Sequence, residues 1–251
     1  MKITGIIPAR FGSSRFPGKP LADIFGKPMI QRVYEQASQC SLLTSVVVAT
    51  DDEKIFSTVK IFGGEAVMTS PDHASGTERC LEAADLLGET TDVIINIQGD
   101  EPFIDPDQIR QVADIFSQDD VNIATLKKKI RTTTEIFNPN VVKVVTGSNG
   151  NALYFSRQPI PYLRGVAVEE WAEIHDFFKH IGIYGYRTET LKRLVKLPVS
   201  PPEKAESLEQ LRWLWHGFSI RVGTTEVESI AVDTPDDLLK ITNRNGEKGP
   251  E

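Results

Sequence analysis

Cysteine is nearly missing from this chain: Cys40 and Cys80 are the only two in 251 residues, far apart and in no CxxC spacing. That excludes a zinc ribbon and argues against a disulfide framework, and each is expected as a small apolar residue on a helix. No apolar run approaches the ~20 residues that a membrane span requires. The opening MKITGIIPAR has neither a basic n-region nor a long h-region. A soluble, cytoplasmic protein is expected. A basic surplus is also lacking, with 28 Lys and Arg against 35 Asp and Glu and a net charge of −7. That argues against broad nucleic-acid binding but permits a local cationic pocket. Internal repeats and a clean interdomain linker are absent. So are GxGxxG, the nucleophile motif GxSxG, and the zinc spacing HExxH.

What remains is an ordinary globular composition, 40% apolar and 25% charged, long enough for one large α/β domain or a large domain with a smaller insertion. Short apolar runs alternate with helical patterns through the first half. Ile3–Pro8, Ser45–Ala49, Glu65–Met68 and Val93–Ile97 read as strands. Helices are expected at Met29–Cys40 behind Pro28, after a cap at Asp51 or Asp52 as far as Gly63-Gly64, at Thr77–Leu87 and near Pro106–Ser117. Apolar strands alternating with helices predict a mostly parallel sheet with helices on both faces. Ligands of such sheets collect outside the carboxyl ends of the strands, which directs attention to the loops after Pro8, Met68 and Ile97. In the second half, Val141–Thr146 and Ala152–Ser156 around Ser148–Asn151 predict a hairpin. A strand at His180–Tyr186, helices at Thr188–Leu197 and Pro202–His216, short runs at Ser219–Gly223 and Ser229–Val232, and a last helix after Asp233-Thr234-Pro235 complete the pattern. Leu208, Leu211 and Trp215 are expected to share an apolar stripe, and Gly246–Glu251 reads as a frayed polar tail.

The loop Ile6–Leu21 (IIPARFGSSRFPGKPL) gathers Arg10, Arg15 and Lys19 among Gly12, Ser13, Ser14 and Gly18, directly behind a buried strand. Glycines let backbone N–H groups approach a phosphate, and the cations offset its charge. It is not the ATPase P-loop: five residues separate Gly12 from Gly18, and Pro20 stands where a Ser or Thr would bind magnesium. A solvated basic loop is the plain alternative.

That loop resembles the signature of the 3-deoxy-manno-octulosonate cytidylyltransferases, also called CMP-KDO synthetases. HASGTER (His73–Arg79), NIQGDEP (Asn96–Pro102), FNPNVVKVV (Phe137–Val145), ALYFSR (Ala152–Arg157), HIGIYGYR (His180–Arg187), LEQLR (Leu208–Arg212) and VDTPDDL (Val232–Leu238) match in the same order. The resemblance implies a Rossmann-like nucleotidyltransferase sheet with a smaller hairpin-containing insertion. One domain over 1–243 and a disordered tail over 244–251 are expected, and the resemblance implies a sugar-binding and dimerisation subregion near 145–190. The implied reaction moves CMP from CTP to KDO, releasing pyrophosphate, for lipopolysaccharide biosynthesis. The implied assembly is a homodimer.

By the same resemblance, Arg10, Ser13, Arg15 and Lys19 wrap the CTP phosphates, while Ser75, Gly76, Arg79 and Gln98 hold the nucleotide. Asp100 and Asp233 would bind Mg²⁺, which favours carboxylate and phosphate oxygens and could stabilise the attacking sugar alkoxide. Arg10, Lys19, Asp100 and Asp233 are thus the expected catalytic set. Arg157, suited to a carboxylate, joins His180, Tyr184, Glu209 and Gln210 as the expected sugar-binding residues. Plain readings stand beside these: Asp233 or Thr77 as a helix cap, Asp100 as a turn residue, Tyr184 as core, Glu209 and Gln210 as a wet helix face. Ala74 stands where the family often carries a larger polar residue, and Gly165–Asp176 departs most from its pattern. Rival functions are transfer to another acidic sugar, a non-catalytic nucleotide-sugar-binding module, and a GT-A-like glycosyltransferase. The last lacks its DxD at the strand end.

Overall fold

The structure, a computed structural model, describes residues 1–12, 16–88 and 90–244. Ser13 and Arg15 of the expected phosphate loop, and the tail beyond Arg244, lie outside the described residues. The chain forms two compact units, one comprising Met1–Arg110 with the segment from Ser229 onward, the other Gln111–Glu228.

The first unit starts with β1 (Ile3–Ala9), buried along almost its whole length. A small ribbon follows, β2 (Asp23–Ile24) and β3 (Lys27–Pro28), then α1 (Met29–Ser38). β4 (Ser45–Thr50), α2 (Glu53–Ile61), β5 (Ala66–Met68), α3 (Gly76–Leu86), β6 (Val93–Asn96) and α4 (Pro106–Ile115) come next. The strands pair in the order β6-β1-β4-β5, all parallel. Val47, Val48, Ala49 and Val93–Ile95 are fully buried. Apolar residues on consecutive positions suit strands covered on both faces, and each large side chain so buried contributes roughly 1.5–3 kcal/mol.

The chain steps outward from β1 to β4 and β5, then returns to the other side of β1 as β6. That reversal makes a switch point at the carboxyl ends of β1 and β6. Pro235–Arg244 forms the closing helix. Its Ile241 and Leu238 pack with Val232, Ile24 and Met29.

Local chemistry explains the helix starts. Asp52, not Asp51, caps α2 by accepting from the Lys54 and Ile55 amides. Ser75 rather than Thr77 caps α3, accepting from the Glu78 amide. Cys80 lies on α3, but Cys40 falls just past α1, where its amide bonds the Ala37 carbonyl at 3.1 Å. The run Ser229–Val232 is not a strand. Its Val232 amide donates instead to the Asp100 carbonyl at 2.8 Å, which joins the loop after β6 to the last helix.

The second unit contains β7 (Ile123–Lys129), α5 (Thr133–Phe137), the hairpin β8 (Lys143–Thr146) and β9 (Ala152–Ser156), and α6 (Trp171–Ile174). Then follow β10 (Phe178–Arg187), α7 (Thr188–Leu194), α8 (Pro201–Glu206), α9 (Gln210–Trp215) and β11 (Arg221–Thr224). β10 pairs antiparallel with β7, whose other neighbour, β11, runs parallel to it. The expected hairpin forms, with Val144 opposite Phe155.

One long helix at Pro202–His216 does not form. Ser200 and Glu203 start α8 with a reciprocal capping box, and Ser207, at φ 53°, turns left-handed and ends it. A separate α9 follows. The break changes the buried face: Leu208, Leu211 and Trp213 point inward while Trp215 is 59% exposed. Gly165–Asp176, the segment least like the family, is mostly exposed but anchored by one buried side chain. Its Trp171 is 2% exposed, stacks on Phe177 and joins Ile130 and Ile136.

Candidate active site

A pocket opens at the switch point of the first unit, lined by Arg10, Lys19, His73–Gly76, Arg79, Gln98–Asp100 and Asp233. Each wall has a local cause. Gly18, in the left-handed region at φ 70°, turns the chain so that its amide bonds the Phe11 carbonyl at 2.9 Å. A non-glycine residue resists that backbone conformation. The short 3₁₀ turn Lys19–Leu21, stiffened by Pro20, then presents Lys19 to the pocket.

After β6 the chain passes so close to β1 that a Cβ on Gly99 would lie 2.8 Å from the Pro8 carbonyl oxygen. Glycine here lets Asp100 sit at the strand end. On the far side, Thr234 caps the last helix: its hydroxyl accepts from the Asp237 amide at 3.2 Å, and the Asp237 carboxylate accepts from the Thr234 amide at 3.1 Å. Asp233 is therefore not the cap, and its carboxylate points into the pocket instead.

These segments converge on one ammonium group. Lys19 Nζ lies 2.8 Å from Asp100 and 3.5 Å from Asp233, residues 81 and 214 positions away in sequence. Two carboxylates meeting at a cation, beside the exposed Arg10, form a hard-oxygen donor pair with open space next to it. Among the described residues no cluster of three or more His, Cys, Asp or Glu could hold a metal.

Arg79 lines the pocket and is also held from behind. It is 4% exposed, donating from Nη1 to Thr69 Oγ1 at 2.5 Å and from Nη2 to Asp51 at 2.8 Å. It braces the loop bearing Ser75 and Gly76 from beneath. Ser75 is in the pocket wall, with its hydroxyl engaged as the α3 cap.

His73, which lines the pocket, and Glu101, next to Asp100, carried no assignment from sequence. His73 Nε2 meets Glu82 at 2.5 Å and so pins the entry to this loop. Glu82 in turn accepts from the Ser70 amide at 2.8 Å. Glu101, next to Asp100, is pushed up to about 7 by burial and then by the Asp100 charge. Both sit inside the blocks HASGTER and NIQGDEP, yet only the fold sets Glu82 against His73 and buries Glu101.

The expected sugar-binding residues all fall in the second unit. The Arg157 guanidinium donates to the Glu206 carbonyl at 2.7 Å and to the Pro139 carbonyl at 3.1 Å, holding the α8–α9 turn that leads to Glu209 and Gln210. Tyr184 is 7% exposed and packs edge-on against Trp213, with ring centroids 5.1 Å apart. Burial, and then the charge of Glu209, push its phenol well above the usual range. His180 sits between Phe155 and Tyr184, and burial pushes its imidazole down to about 3, so it is neutral near pH 7.

Fold and site define a nucleotidyltransferase, and a family model described as "Cytidylyltransferase" matches residues 4–226. A 3-deoxy-manno-octulosonate cytidylyltransferase of Parabacteroides distasonis is 56% identical over 244 residues, 96% of each chain. Its namesake in Cytophaga hutchinsonii is 53% identical over 244 residues, 97% of each chain. A solved CMP:2-keto-3-deoxy-manno-octonic acid synthetase, complexed with CTP, shares the fold with a TM-score of 0.90 at 44% identity, covering 99% of this chain and 100% of that one. The chain belongs to the 3-deoxy-manno-octulosonate cytidylyltransferase family.

Proposed function

We propose that this protein transfers CMP from CTP to the anomeric hydroxyl of KDO, giving CMP-KDO and pyrophosphate for lipopolysaccharide biosynthesis. The observation that carries this reading is the convergence of Lys19, Asp100 and Asp233 in a pocket at the sheet's switch point.

The sugar hydroxyl gives its proton to solvent as its oxygen attacks the α-phosphorus in line, the bond to the bridging oxygen of the β-phosphate breaks, and that oxygen leaves with the pyrophosphate. The protein's task is positioning and charge stabilisation. Arg10 and Lys19 oppose the negative charge that builds on the phosphates. Ser75, Gly76 and Gln98 line the wall assigned to the nucleotide, and Arg79 holds that wall through Thr69 and Asp51. A Mg²⁺ ion held by Asp100, Asp233 and phosphate oxygens would supply charge neutralisation. Sugar recognition is assigned to His180, Tyr184, Glu209 and Gln210, with Arg157 fixing the turn before the last two.

Retention of Lys19, Asp100 and Asp233 together favours a catalyst over a non-catalytic binding module. No described helix is long and apolar enough to cross a membrane. The reading includes a homodimer working in the cytoplasm, where CTP is available.

Pyrophosphate release, followed with CTP and magnesium in the presence of KDO, sialic acid or no sugar, tests the proposal. Release with KDO alone is expected. Equal release with sialic acid, or release without sugar, would refute the assigned acceptor.

A further inference from the structure

The second unit contains a hydrogen-bond arrangement that fixes which nitrogen of His180 carries its proton. β10 departs from regular pairing with β7 between Ile181 and Tyr184, where the register shifts around Gly182. Such bulges re-aim neighbouring side chains and recur beside active sites. Opposite the irregularity stands Thr125, fully buried on β7. Its hydroxyl oxygen lies 2.7 Å from the Ile183 carbonyl, 3.1 Å from the Ile181 carbonyl and 3.0 Å from His180 Nε2.

A hydroxyl has one hydrogen to give, and a carbonyl can only accept. The hydrogen must therefore go to a carbonyl, and the 2.7 Å contact with Ile183 is the shorter. Were it directed at His180 instead, both carbonyls would face the threonine oxygen lone pair to lone pair, at low local dielectric. With its hydrogen committed, Thr125 can meet His180 only as an acceptor. His180 Nε2 must then be protonated, which leaves Nδ1 with a lone pair. The low pKa of His180 removes the alternative in which both nitrogens carry protons.

We propose that Thr125 is a positioning residue that locks His180 as the Nε2–H tautomer, so that Nδ1 accepts a hydrogen bond from a hydroxyl of the sugar substrate. The inference rests on the assignment of His180 to sugar recognition. Its first half, the tautomer, stands independently of that assignment, on the contacts of Thr125. The bond to Ile183 also holds the bulge, so Thr125 couples the ring's protonation pattern to its placement beside Phe155 and Tyr184.

The test uses the full-length protein. Two-bond nitrogen-15 correlation spectra of the histidine rings report the tautomer directly, independently of turnover. The expected wild-type signature for His180 is a protonated Nε2 and an unprotonated Nδ1. Thr125→Val, nearly the same shape without the hydroxyl, should lose this single tautomer. It should raise KM for KDO about tenfold, the effect of one hydrogen bond, with KM for CTP unchanged. Thr125→Ser, which keeps the hydroxyl, should restore both readouts and shows that the effect is not misfolding.

Wild-type spectra with the proton on Nδ1 would overturn the lock. The expected spectra together with an unchanged KM for KDO in Thr125→Val would overturn the role in substrate binding. Wild-type protein that shows the expected tautomer but no KDO-dependent turnover would count against the proposed reaction, not the lock.

Discussion

Acidification should weaken the second unit through His180 before most carboxylates begin to titrate. Its imidazole falls from the ordinary 6.5 to about 3 in the folded chain, through burial. The sign follows from proton counting. Between those values the unfolded chain binds a proton that the folded chain refuses, so stability falls as pH falls from about 6.5 and levels off near 3. The slope approaches ~1.4 kcal/mol per pH unit. From pH 7 to pH 5 the loss from this residue is about 1.9 kcal/mol.

Urea unfolding at several pH values, for wild type and His180→Gln, isolates the effect because every other group titrates in both proteins. Trp171, Trp213 and Trp215, the only tryptophans, all lie in the second unit, so their fluorescence follows the unit that contains His180. Wild type should lose about 2 kcal/mol more than the variant between pH 7 and pH 5. Parallel stability curves for the two proteins would refute the reasoning.

Three further outcomes are expected. Lys19→Met, which removes the ammonium between Asp100 and Asp233, should lower kcat by roughly 10²–10³-fold in steady-state assays. Arg79→Ala leaves the Asp51 carboxylate, only 17% exposed, without its partner, and should destabilise the protein by about 3–5 kcal/mol in denaturant unfolding. Gly99→Ala brings a Cβ to 2.8 Å from the Pro8 carbonyl oxygen, so the loop bearing Asp100 must shift. Turnover should fall about a hundredfold, as misplacement of a reacting group does, with near-normal stability of the remainder. Wild-type kcat in Gly99→Ala would show that the loop tolerates the shift.

The parallel sheet was readable from sequence because SVVVAT and VIIN are apolar on consecutive positions, which suits strands covered on both faces. The carboxylates were readable only through the ordered motif blocks. Local chemistry left Asp233 as a cap, because nothing in Asp-Thr-Pro-Asp-Asp reveals that Asp237 and Thr234 will cap each other and release it. The Pro202–His216 region misled for a related reason. Its helical spacing is continuous, but the left-handed turn at Ser207 depends on Arg157 holding the carbonyl of Glu206 from 49 residues away. Arg79 lines the pocket, but its partners Asp51 and Thr69 were not legible in the sequence because they come from the ends of other strands. The role inferred for Thr125 has no sequence signal at all, since it depends on a register shift in the strand opposite.

The account depends most on Asp100, the carboxylate nearest Lys19 at the switch point. Single-turnover formation of CMP-KDO by Asp100→Asn, with saturating CTP, KDO and magnesium, measures that dependence directly. The amide keeps the shape but not the charge, and the rate is predicted to fall at least ~10³-fold while the fold is retained. A rate within a few-fold of wild type would contradict the central claim that chemistry occurs where Asp100, Asp233 and Lys19 meet.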